Sequence, residues 1–216
     1  MSTRKEVFVT GNYYHIYNRA TAGIPIFGSQ RAANFFLNCA QYYCSFKPPA
    51  KYSIYRQNKE KYNLKNDKKL VTILSYCVMP NHFHFQLRQD VDGGVNTFIR
   101  KLTSSFAHYY SVRNNLNGHV FQGNFKAVHV ESDEYLLHLS RYIHLNPSSS
   151  SLVIDPKEYR YSSLKTYIES ASGNSQFVDT SIILGLSGSS ENYLKFVMDQ
   201  KDYQRRLKIM RYLFLE

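Results

Sequence analysis

The chain has no tryptophan, only three cysteines in 216 residues, and only 16 Asp and Glu against 27 Lys and Arg. Each shortage excludes something. Cys39, Cys44 and Cys77 are odd in number and share no metal-type spacing, so no disulfide framework is available and reduced thiols in a cytoplasmic protein are expected. No apolar run approaches the roughly 18 residues of a membrane span. The N-terminal MSTRKEVFVTGNYY has no apolar core of signal-peptide length, and no internal repeat or long low-complexity segment is evident. A soluble, intracellular protein is the expectation.

The shortage of acids leaves a net charge of +11 and an isoelectric point near 9.5. That excess suggests a polyanionic partner, nucleic acid first. Tryptophan is absent, but 19 Tyr and 14 Phe are present. Exposed rings among basic residues suit the stacking of single-stranded bases, although core packing accounts equally well for most of them. The length supports one core of roughly 150 residues with an appendage.

Periodicity orders the elements. YYHIYNRA (13–20) is a strand-like run, and Ser29 is placed to cap an amphipathic helix from Arg31 to about Phe46 that KPP stops. Residues 51–69 carry seven Lys or Arg against two acids, a basic loop. LVTILSYCVM and HFHFQLRQ read as two strands about a Pro-Asn turn. Val95 to about Arg113 shows a helical stripe, FKAVHVE a fourth strand, and Ser132 or Asp133 caps a helix that Pro147 is expected to end. The order β-α-β-β-α-β-α predicts an α+β fold: a ferredoxin-like or RRM-like antiparallel sheet with helices on one side. Beyond Ser170 a small, polar stretch leads to a basic helix from about Glu191, a helical C-terminal tail. The expected division is therefore 1–170 and 171–216.

Within VMPNHFHFQL, His82 and His84 stand two apart on one face of a strand, with Phe83 turned to the core. Two neighbouring imidazoles can meet one divalent cation, yet a solvated polar face fits the spacing equally. In RYIHLNP, Tyr142 and Asn146 are four apart on one helical face, where an amide oxygen is a hard ligand and a phenol a potential nucleophile. Packing of Tyr142 against the sheet and capping by Asn146 are the plainer alternatives. His15, His119, His129 and His138 are less well placed, and His144 lies about 200° around the helix from Tyr142, which makes it structural.

YCVMPNHFHFQL, GHVFQGNFKAVHVESDEYLLHLSRYIHLNP and YRYSSLKTY, in this order, resemble the single-tyrosine HUH transposases, particularly the REP-associated tyrosine transposases, from about Tyr13 to Ile168. The resemblance implies a divalent metal, Mg2+ or Mn2+, on His82, His84 and Asn146, with Tyr142 as nucleophile. It implies cleavage and rejoining of single-stranded, hairpin-flanked DNA through a 5′-phosphotyrosine by a metal-dependent tyrosine transposase. The first 170 residues would be the nuclease domain. Lys126 and Arg141 are candidate DNA contacts. Relatives often carry a basic residue where Asn124 stands and an apolar, basic segment where SSSSLV follows Pro147, which puts affinity and target choice in doubt more than chemistry. The implied setting is cytoplasmic and nucleoid-associated, with no membrane, as a monomer or homodimer. A domesticated, inactive single-strand-binding module is the alternative, and a water-using metal nuclease a third reading.

Overall fold

The computed structural model describes residues 7–62, 68–169 and 177–201. In chain order these form β1 (Tyr13–Arg19), α1 (Gln30–Tyr43), α2 (Tyr52–Gln57), β2 (Val71–Met79), β3 (His82–Gln89), α3 (Gly94–Asn114), β4 (Lys126–Val130), α4 (Asp133–Ser149), α5 (Leu164–Glu169), α6 (Ser181–Ser187) and α7 (Ser190–Met198). The sheet is antiparallel with order β2-β3-β1-β4. This is the expected βαββαβ arrangement.

Alternation along β3 divides the molecule. Phe83, Phe85 and Leu87 are buried, and Phe36 of α1 lies against Phe83 and Phe85 at ring distances of 5.0 and 6.1 Å. Phe27 then fills the space between Phe36 and Phe106 of α3, 4.7 Å from each. Burying rings of this size contributes roughly 1.5–3 kcal/mol each. The two core helices thus share one face, as expected. His82, His84 and Gln86 point the other way, where Gln86 Nε2 donates to the Leu136 carbonyl of α4 at 2.7 Å. α4 is therefore a helix on the opposite face.

Local chemistry explains the helix starts: the Ser29 hydroxyl accepts from Ala32 N at 3.2 Å and Ser132 from Tyr135 N at 3.1 Å. Two expectations need correction. α4 does not stop at Pro147 but runs on to Ser149. Proline forfeits only its own amide bond, and Ser150 N still donates to the Asn146 carbonyl at 3.0 Å. Nor is 51–69 wholly a loop, because Tyr52 is buried at the start of α2 and Tyr55 stacks on Tyr42 at 4.5 Å. An apolar i, i+3 pair is enough to hold one and a half turns among the lysines.

Cys39, Cys44 and Cys77 are free and buried. Among the described residues no helix is long and apolar enough to cross a membrane. α5, α6 and α7 pack around the outer side of α4. Of the basic residues expected in the C-terminal helix, Arg205, Arg206, Lys208 and Arg211 lie outside the described residues.

Candidate active site

Register assembles the site. Across the sheet one row reads Cys77, His84, Tyr17, Lys126, and another Met79, His82, Arg19. Residues directly opposite one another share a face, so Tyr17, Arg19 and Lys126 join the two histidines. α4 lies over this face with Tyr142 and Asn146 one turn apart. His82, His84, Tyr142, Asn146 and Lys126 line a single pocket of about 540 Å3. All three candidate ligands, the candidate nucleophile and one of the two candidate DNA contacts are thereby brought together.

Their environments differ. Asn146 and His84 are only 3% and 6% exposed, whereas Tyr142 is 42% exposed. The Tyr142 ring meets His84 and His15 edge-on, at 5.7 and 6.2 Å between centroids.

Each histidine is held at Nδ1. His82 Nδ1 lies 2.7 Å from Asn81 Oδ1, and since an amide oxygen only accepts, the imidazole donates. His84 Nδ1 lies 2.9 Å from His15 Nε2. With Nδ1 donating, the lone pair of each ring sits at Nε2, the arrangement second-shell partners impose on metal-binding imidazoles. Two imidazoles and an amide oxygen are a neutral donor set that leaves a divalent ion its full charge for a phosphate. Among the described residues no group of three or more His, Cys, Asp or Glu could hold a metal. The third candidate donor is an amide, that of Asn146.

His15, which sequence reasoning passed over, lies against the candidate site through its contact with His84. Burial pushes its pKa down to about 4, so it is neutral and able to accept from His84. The signal was present in β1, where His15, Tyr17 and Arg19 alternate onto one face. Asn18, Gln122 and Asn124 also line the pocket.

Arg141 is elsewhere. Its guanidinium lies 4.0 Å above the Phe196 ring of α7, and Nη2 donates to His138 Nδ1 at 2.7 Å. One residue along a helix is a turn of about 100°, which takes Arg141 off the face of Tyr142. His144, as expected, faces away too. Tyr193 Oη donates to Ser140 Oγ at 2.9 Å, and with that proton so used His144 Nδ1 donates to Tyr193 Oη at 2.7 Å and His144 Nε2 accepts from Ser163 Oγ at 2.7 Å, a tautomer assigned from the network. This buried chain fixes the rotation of α4 and hence the direction of Tyr142. Tyr193→Phe is expected to cost roughly 1–3 kcal/mol in urea unfolding, because it leaves the His144 N–H without its acceptor.

No protein of curated function matches the chain in sequence. Among solved structures, that of a REP-associated tyrosine transposase bound to a REP hairpin shares the fold at a TM-score of 0.57, with 13% identity over 82% of this chain and 90% of that one. An inferred transposase of Deinococcus radiodurans aligns at 13% identity over 65% of this chain and 95% of that one, with a TM-score of 0.37. The model of the IS200-like transposase family matches residues 50–146. That segment carries His82, His84, Tyr142 and Asn146, and over it the chain is similar to the IS200-like transposases.

Proposed function

We propose that the protein is a metal-dependent tyrosine transposase that cleaves and rejoins single-stranded, hairpin-flanked DNA through Tyr142. The observation that carries this reading is the convergence of His82, His84 and Asn146 with an exposed phenol in one pocket. Residues 1–170 would make up the catalytic unit, with 171–216 as its helical tail.

His82, His84 and Asn146 would hold Mg2+ or Mn2+, which when bound supplies Lewis-acid polarisation of the scissile phosphate. The remaining work falls to the chain itself. Tyr142 Oη attacks phosphorus in line, the bond from phosphorus to the 3′ oxygen breaks, and a 5′-phosphotyrosine and a free 3′-OH result. The phenol loses the proton that the departing 3′ oxygen finally gains, so the step is proton-neutral. Lys126 sets a positive charge at the pocket wall for a non-bridging phosphate oxygen. Attack by another 3′-OH reverses the step and joins strands without ATP. A phenol on the open face of α4 can receive an extruded strand but not the interior of a duplex, which favours a single-stranded substrate beside a hairpin. The net charge of +11 suits that partner.

The test is to incubate the protein with labelled hairpin-containing single strands from the DNA flanking its gene, with and without Mn2+. A labelled species at protein mass on a denaturing gel, formed only with metal and mapped by peptide mass spectrometry to Tyr142, is the expected result. Cleavage without any adduct would replace the tyrosine by water as nucleophile. Binding without cleavage would favour a domesticated module.

A further inference from the structure

Tyr142 also borders a second, smaller pocket of about 370 Å3, where it meets His15, His84, Tyr135 and His138. His15 and His84 are occupied with one another at 2.9 Å. His138 is the remaining imidazole, and neither the candidate metal site nor the buried network of His144 uses it. It stands four residues before Tyr142 on α4, so the two side chains share one helical face, a turn apart.

A neighbour sets the chemistry of this ring. Arg141 Nη2 lies 2.7 Å from His138 Nδ1. A guanidinium has donors only and stays charged, so Nδ1 is the acceptor and carries no proton. The ring proton is therefore on Nε2, which has no hydrogen-bond partner among the described residues. His138 thus brings to the pocket an N–H donor rather than a base.

α7 holds the arginine in turn. Phe196 lies 55 residues from Arg141 in the chain and accepts at its carbonyl from Nη1 at 3.4 Å. The guanidinium sits 4.0 Å above the Phe196 ring, and the His138 ring meets the same ring edge-on at 5.4 Å. Exposed polar pairs contribute little to stability. A contact fixed from a separate helix by stacking and by a hydrogen bond instead fixes direction.

We propose that His138 is a further catalytic residue, whose Nε2–H donates to a non-bridging oxygen of the scissile phosphate while Tyr142 Oη attacks. Arg141 and Phe196 are its positioning residues, and through them the C-terminal tail takes a share in the reaction. The bond from Tyr142 to phosphorus forms and that to the 3′ oxygen breaks as already described, and His138 keeps its proton throughout. The inference rests on the reading of Tyr142 as a nucleophile toward DNA.

Single-turnover cleavage at saturating Mn2+ tests it on the full chain. His138→Phe keeps a ring against Phe196 but has no donor, and the rate should fall roughly a hundredfold, the scale of one lost bond to charge developing in a transition state. His138→Gln returns an N–H and should recover most of the loss. Affinity for the strand, measured in a Tyr142→Phe background, should stay within about twofold, because a bond strengthened in the transition state leaves ground-state binding alone. Arg141→Met should slow cleavage roughly tenfold by itself and add nothing in His138→Phe, as residues acting as one unit do. An unchanged rate in His138→Phe, or a loss that appears wholly in affinity, would overturn the role of His138. Additive losses would remove Arg141 and Phe196 from it. Adduct formation at Tyr142 that is indifferent to residue 138 sinks this inference alone, whereas a chain that forms no adduct sinks the reading of Tyr142 as well.

Discussion

Tyr142→Phe is expected to lower the rate of strand cleavage by roughly a thousandfold or more, the consequence of removing a nucleophile outright. The substitution deletes one oxygen from a side chain that is 42% exposed. The ring contacts with His84 and His15 survive it, so folding stability should change by less than about 0.5 kcal/mol. Metal affinity and DNA affinity should stay within about twofold. Tyr135 provides the internal control. It lies seven residues earlier on α4, two turns back on the same side, is 40% exposed, and lines an adjoining pocket with Tyr142. Initial cleavage rates on denaturing gels should therefore be nearly unchanged in Tyr135→Phe and collapse in Tyr142→Phe. A rate that survives in Tyr142→Phe but falls in Tyr135→Phe would move the nucleophile by two turns. A rate that survives in both would leave hydrolysis by water.

Much of this site was legible in the sequence because local periodicity carries it. Two residues apart on a strand and four apart on a helix are statements about one face, which pairs His82 with His84 and Tyr142 with Asn146, while the metal and nucleophile roles came only with the family resemblance. The capping by Ser29 and Ser132 was legible for the same reason. What stayed hidden depends on contacts between elements distant in the chain. His15 looked like an ordinary strand histidine until the pairing of β1 beside β3 set Tyr17 opposite His84 and left His15 within hydrogen-bond reach of that ring. Arg141 looked like a phosphate ligand because it adjoins Tyr142, yet a neighbour in sequence is not a neighbour in direction on a helix, and Phe196 of α7 captures it. The lysine-rich 51–69 segment concealed α2, since charge dominates its composition while two tyrosines decide its packing.

α4 itself has two polar faces with opposite tasks. Tyr142 and Asn146 look into the open pocket, whereas Ser140 and His144 look into a buried network with Ser163 and Tyr193. Burial pushes the His144 pKa down to about 3, so this ring is a neutral relay of hydrogen bonds with no access to substrate. A helix anchored on its far side by directional bonds cannot roll, and the phenol on its near side keeps its aim. Fixed direction is what a single attacking oxygen requires, because a misplacement of about 1 Å can cost a hundredfold in rate.

The second large effect is expected at His15, which touches neither the phenol oxygen nor the substrate in this reading and acts through His84. The 2.9 Å contact of His15 Nε2 with His84 Nδ1 permits either ring to donate; in the reading proposed here His84 donates, which leaves its Nε2 lone pair for a cation. His15→Phe keeps the ring volume but removes the acceptor. His84 can then carry its proton on Nε2 instead, and affinity for Mn2+ in the absence of DNA should fall by roughly 10- to 100-fold in calorimetric titration. His15→Gln should restore most of the loss, since its amide oxygen can stand where Nε2 stood. Long-range proton-nitrogen correlation spectra of the metal-free protein give a second readout. The His84 ring should show Nδ1 protonation with His15 or His15→Gln and a mixture of tautomers with His15→Phe. A purely structural role would lower the unfolding midpoint in His15→Phe while leaving tautomer and metal affinity as they were, and that outcome would remove His15 from the site.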